Sequence, residues 1–301
     1  MQPLDRDTTV PVLEGEYEET QHDLLGGKTT NPILVDSHVH IYDSYDLTLF
    51  FDSALSNFRK GSQELRLRHK PLVCLWLTES VKHNYFYRFS HQETERFRGP
   101  WGFHHTEESC SLYAIRENGE EILIIAGRQI QTKEGLEVLA VGSTQHVAER
   151  MTIDETLARV KEIGSLAIIP WGFGKWWFRR GAVVTRLLES GQRGSFFLGD
   201  NSGRLRLSKR PRHFRTAEER GFSVLPGSDP LPFPYETTKV GRYGFLMDGQ
   251  VCRKRPAEQL KRMTHEIVST PPAFGGLEGF LAFCRNQSVI QINKHVKRVR
   301  P

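Results

Sequence analysis

A chain of 301 residues, 38% hydrophobic and 10% aromatic, can bury the core of one large α/β domain or of two small ones. No stretch approaches the ~20 consecutive apolar residues of a membrane-spanning helix, and the acidic first thirty residues contain no apolar leader, so a cytoplasmic protein without membrane contact is expected. A formal net charge of +5 suits anionic partners and does not by itself call for nucleic acid.

Residues 1–31 are polar and acidic and read as an N-terminal arm; residues 32–301 read as one domain without internal repeats. The first buried strand is Ile33-Leu-Val35, which runs into Asp36-Ser-His38-Val-His40. Residues two apart on a strand face the same side, so two imidazoles are aimed together from a strand end. Asp36, Asp43 and Asp46 crowd the same stretch with carboxylates, and neutral imidazole with carboxylate is the donor set of zinc, manganese or iron. A solvated or hydrogen-bonded strand end is the plainer account of the same residues. Leu47, Phe50, Phe51, Leu55 and Phe58 then recur at helical spacing.

Further strands are expected at 71–77, 122–125, 136–141, 166–169, 195–198 and 222–225, each ending in a polar or glycine-bearing loop. The segment 83–110, with His83, His91, His104 and His105, is ambiguous. Thr152 and Glu155 have capping-box spacing ahead of an apolar face at Ile153, Leu157, Val160 and Ile163. Val183, Val184, Leu187 and Leu188 mark another helix, and 255–286 reads as two more before a basic tail. Alternation of short strands and helices implies a parallel sheet, and about seven such units imply a closed or distorted TIM-like barrel. The cysteines Cys74, Cys110, Cys252 and Cys284 are scattered, as reduced thiols would be.

The strand ends resemble the polymerase and histidinol phosphatase (PHP) family. Asp36-Ser-His38-Val-His40 with Asp46 is similar to that family's first motif, Gly127-Arg-Gln129 through Leu139 to its third, and Gly227-Ser-Asp229 to its last. The resemblance implies a distorted seven-stranded (β/α) barrel with up to three metal ions that hydrolyse phosphate esters. The departures are specific. Thr78-Glu79-Ser80 lacks the motif's His, Gln129 stands where the family has a bridging Glu, Ile169-Pro170-Trp171 lacks a His, and Leu231 replaces the last one. Retained are His38, His40, Asp46 and Asp229, which the resemblance implies as ligands of a reduced, mononuclear site. The amidohydrolase superfamily also opens on an Asp-x-His-x-His strand, but its middle ligands are not evident beyond Lys175.

A divalent ion on this set activates water and polarises a phosphoryl oxygen, with Asp229 a catalytic carboxylate. Lys175, Arg179, Arg180 and Arg204 follow strand ends, and of these Lys175 and Arg204 are the expected anion clamps. A small phosphorylated substrate is expected. A barrel without turnover, serving as a binding or regulatory module, is the competing account. Trp171 to Trp177 is dense in aromatics, either buried packing of the barrel mouth or a stacking wall for a sugar or base. Asp200-Asn201 either orients substrate or forms an Asx turn. Residues 204–220 hold seven cations around Pro211, either a solvated loop or a contact for nucleic acid phosphates.

Overall fold

The computed structural model describes residues 31–91 and 99–299, with side chains described through residue 289. The expected N-terminal arm, apart from Asn31, lies outside the described residues. In chain order the elements are β1 (Pro32–Val39), α1 (Leu47–Glu64), β2 (Leu72–Leu77), α2 (Tyr85–Ser90), β3 (Trp101–His105), β4 (Ser111–Arg116), β5 (Glu121–Ile125), β6 (Gly127–Gln131) and β7 (Glu137–Val141). Next come α3 (Ile153–Glu162), β8 (Leu166–Pro170), α4 (Arg179–Ser190), β9 (Phe197–Asn201), α5 (Arg212–Glu219), β10 (Val224–Gly227), a 3-10 turn (Pro234–Lys239), β11 (Tyr243–Asp248), α6 (Pro256–His265), β12 (Ala273–Gly275) and α7 (Phe280–Val299). Among the described residues, no helix is long and apolar enough to cross a membrane.

The strands form two mixed sheets, ordered β12-β11-β1-β2-β5-β4-β3 and β10-β9-β8-β7-β6. Neither closes on itself, which corrects the expected seven-stranded (β/α) barrel. The physical reason lies in the connections. Between residues 100 and 141 strands follow one another through short turns with no helix between, so β3, β4 and β5 pair antiparallel, as do β6 and β7; β8, which follows α3, also pairs antiparallel with β7. A strand that the sequence did not lead us to expect, β11, pairs antiparallel with β1. Among the named strands, β1 pairs parallel with β2, β2 with β5, β8 with β9, and β9 with β10.

One core lies between the sheets, where Ile33, Val35, Trp76, Leu139, Ile168 and Phe245 meet. A second forms under α1, whose Phe50, Phe51, Leu55 and Phe58 are buried as the spacing predicts. A third lies under α3, α4 and α5. The capping box of α3 is present, Thr152 and Glu155 bonding each other's backbone. The sheets meet along two seams. At one, Ser37 Oγ donates to Pro226 O (2.8 Å) and Asp229 N to His38 O (2.8 Å). Gly227 is required there, because a Cβ would stand 2.5 Å from His38 N. At the other, Glu79 N donates to Gly127 O and Gln129 N to Glu79 O.

The Glu79 side chain turns inward and accepts from the backbone N–H groups of Tyr85 and Phe86 at the start of α2. Burial raises its carboxyl from an ordinary 4.5 to about 7, against the pull of those donors and of Arg128. The folded chain therefore holds a proton that the unfolded chain has released, and stability falls as pH rises from about 4.5 to about 7. Glu79→Gln should remove up to roughly 3 kcal/mol of that decline in urea titrations across the window. An unchanged pH dependence would contradict this assignment.

Candidate metal centre

β1 is buried along its whole length, and its carboxyl end meets the carboxyl end of β10. Asp36 ties the two together. One carboxylate oxygen accepts from Ser228 N (2.8 Å) and His38 N (3.3 Å), the other from Gly241 N (2.8 Å). Burial pushes this carboxyl up to about 7, with those donors opposing it. Asp36 is thus spent on holding the residues that follow β1 and β10, and those residues carry the centre.

His38 Nε2 and His40 Nε2 stand 3.1 Å apart, and each is 3.5 Å from Asp229 Oδ1. Both imidazoles are buried. Two ring nitrogens at this separation cannot both carry protons. Either one donates to the other, or both lone pairs face a common cation. Burial and the neighbouring His38 lower His40 to about 3, with Asp229 opposing, so its ring is neutral as a ligand must be. For Asp229, burial alone would raise the carboxyl. His38, His40, Lys175 and the Asn201 amide outweigh it and hold the group below its ordinary value. Asp229 adopts a left-handed φ of +45°, a strained setting that an Asp tolerates and that brings its side chain over the two rings. Asn201 Nδ2 donates to Asp229 Oδ2 (2.8 Å) and to Trp171 O (2.7 Å), joining the ends of β8, β9 and β10 to the centre. Tyr42 packs against His40 with ring centroids 5.7 Å apart.

Two imidazoles and an ionised carboxylate converging in a buried corner fit a divalent ion such as zinc, manganese or iron. Among the described residues these three form the one such group. The other expected site residues are engaged elsewhere or stand at its edge. Asp46 caps α1, its Oδ1 accepting from Leu49 N (2.8 Å), a role its position directly before an apolar helical run could have signalled. Arg204 makes a bidentate pair with Asp200 at 3.1 and 2.8 Å, and Tyr243 Oη donates to the same carboxylate. Lys175 pairs with Glu137 at the mouth of the centre. His104 and His105 are exposed on β3, at the far edge of the larger sheet. The backbone N–H of Gln129 bonds to Glu79, and its strand partner is Leu139.

A cavity of about 540 Å³ opens beside Asp229 and Asn201. Its wall contains the aromatics Trp171, Phe173, Trp177 and Phe283. It also contains three cations, Lys175, Arg180 and Lys239, and four carboxylates, Glu137, Asp229, Glu236 and Glu278. Nothing in the sequence singled out Glu137, Glu236, Lys239 or Glu278. Glu137 opens β7, Glu236 and Lys239 lie in the 3-10 turn and Glu278 in the loop before α7, with no apolar period to mark them.

No protein-family model matches the chain, and no curated protein matches it. Seven chains of solved structures do. PsfC from Pseudomonas syringae PB-5123 is 14% identical with a TM-score of 0.46, over 81% of this chain and 92% of that one. The lesion-specific endonuclease PfuEndoQ from Pyrococcus furiosus is 13% identical with a TM-score of 0.44, over 77% of this chain and 56% of that one. Neither similarity carries the chemistry of those proteins over to this chain.

Proposed function

We propose that the chain is a metal-dependent hydrolase of phosphate esters with a single ion on His38, His40 and Asp229, a reduced relative of the PHP enzymes. The observation that carries this reading is the convergence of three ligand atoms, none more than 3.5 Å from the next, in a corner that opens on a cavity. A divalent ion so held supplies Lewis acidity toward a phosphoryl oxygen and acidifies water. The chain's own residues supply the rest. Asn201 fixes the rotamer of Asp229, and Tyr42 walls the His40 ring. Lys175, already paired to Glu137, stands where it can orient an anionic group.

Charge favours the same account. The cavity wall carries one more carboxylate than cations, so by itself it repels a phosphate. A divalent cation reverses the sign and makes an anionic ester acceptable. The nearby carboxylates of Asp36, Glu79 and Asp46 are each engaged with backbone N–H groups, which supports one ion rather than two or three. Steady hydrolysis of p-nitrophenyl phosphate or a nucleotide monophosphate is expected with added manganese. EDTA should abolish it, and His40→Ala should lower it at least a hundredfold. Protein that binds manganese yet turns over no ester in such a screen would favour the binding module.

A further inference from the structure

Outside the metal centre, residues of the loop after β8 and of the segment 204–215 line a shared crevice. Phe178 is the most exposed large hydrophobic side chain among the described residues, with 90% of its surface open to water. Its backbone lies at φ +55°, ψ −127°, a conformation suited to glycine. A bulky apolar side chain held in a strained conformation, and in water, contributes nothing to the fold that glycine would not. Trp177 lines a shallow pocket with it and packs against Phe173, and both are exposed, as is Leu207. Trp177 lines a crevice of about 390 Å³ whose opposite wall is Lys209, Pro211 and Arg212. Trp177 and Phe173 also line the cavity of the metal centre, so the two sites are continuous.

The charge on this face is as unusual as its aromatics. Arg179, Arg206, Lys209, Arg212 and Arg215 are all exposed. Among the described residues none of the five has a carboxylate partner, whereas Arg210 in the same segment pairs with Glu218, and Arg186 and Arg255 elsewhere each have one. Helices α4 and α5 both begin here, without a side-chain cap and without an acidic residue in the first turn. Arginines occupy those turns instead, adding positive charge to the positive ends of two helix dipoles. That arrangement costs stability unless an anion is brought to it.

We propose that this face binds single-stranded nucleic acid, with bases stacked on Phe178 and Trp177 and phosphates on Arg206, Lys209, Arg212 and Arg215. Exposed aromatics reach the faces of bases only where the bases are unpaired, and uncompensated cations beside them track the backbone. Such binding deepens the proposed phosphoesterase reading, on which any cleavage of the bound strand at the metal centre rests; the binding itself requires no metal. The shared chemistry does not separate DNA from RNA, so both are tested.

The full chain is titrated, in EDTA, into fluorescein-labelled oligo-dT and oligo-U of about 12 nucleotides, with anisotropy as the readout. Both strands should bind, at least tenfold tighter than a duplex of the same length. Phe178→Gly should weaken binding roughly tenfold. The same variant should melt higher than wild type, because the strain is relieved and no buried surface is lost. These opposite signs separate a stacking role from a structural one. Arg206→Ala/Lys209→Ala/Arg212→Ala should reduce the slope of log K against log salt by about 2. Equal binding of duplex and single strand, or unchanged affinity in Phe178→Gly, would overturn the proposal. So would displacement of the oligonucleotide by phosphatidylserine vesicles at equal charge, which would identify the face as a membrane contact. Because EDTA is present throughout, failure here leaves the metal reading standing, and absence of a metal site leaves this test intact.

Discussion

Asp36→Ala is expected to cost about 3–5 kcal/mol of folding stability, the largest loss from any single truncation at the centre. The carboxylate has no solvent exposure and accepts three backbone N–H groups drawn from β1, from the residue after β10, and from the turn before β11. Alanine leaves the Ser228 and Gly241 donors buried without partners, each worth about 1–3 kcal/mol. Asp36→Asn keeps one acceptor oxygen and should lose less than alanine does. Because Ser228 precedes Asp229 and His38 lies two residues past Asp36, the metal corner should loosen with the seam. Urea midpoints of the two variants check the order, and equal midpoints for Asp36→Ala and wild type would show that the seam does not depend on this carboxylate.

Lys239→Met should be nearly as costly, about 3–5 kcal/mol. Lys239 Nζ bridges Glu236 Oε1 (2.8 Å) and Glu278 Oε1 (2.5 Å), and both carboxylates are buried. Arg242 and Arg285 approach them only at 3.5 and 3.9 Å, the first half-buried and the second exposed. Removing the lysine therefore leaves two buried anions without close compensation. Adding Glu278→Gln to Lys239→Met should recover part of the loss, since it removes one of them. The double-mutant cycle measures this directly, and simple additivity of the two changes would contradict a coupled triad.

His38 and His40 were legible because an alternating strand end must aim them together, and Asp229 only because Gly227-Ser-Asp229 resembles the last motif of the PHP family. The apolar faces of α1 and α3 were legible for the same reason, since burial alone dictates their spacing. Pairing direction was not legible. An apolar run such as Ile122–Ile125 has the same composition whether its neighbour is parallel β2 or antiparallel β4. Asp46 and Arg204 show a related limit. Each has the chemistry of a site residue, but a helix N-terminus claims the first and Asp200 the second, and only the structure shows that the bonds are already made. The Glu236–Lys239–Glu278 group was hidden because Glu278, which completes it, lies 39 residues beyond Lys239, and neither segment has an apolar period to mark it.

The central claim is that His38, His40 and Asp229 hold one divalent ion. The most direct measurement is elemental analysis of the full chain after reconstitution with zinc, manganese or iron and removal of excess metal, beside His38→Ala and His40→Ala. The account predicts one equivalent in the wild type and none in either variant, with both variants still folded by circular dichroism. A wild-type chain that retains no metal, or a His38→Ala chain that retains as much as the wild type, would contradict it.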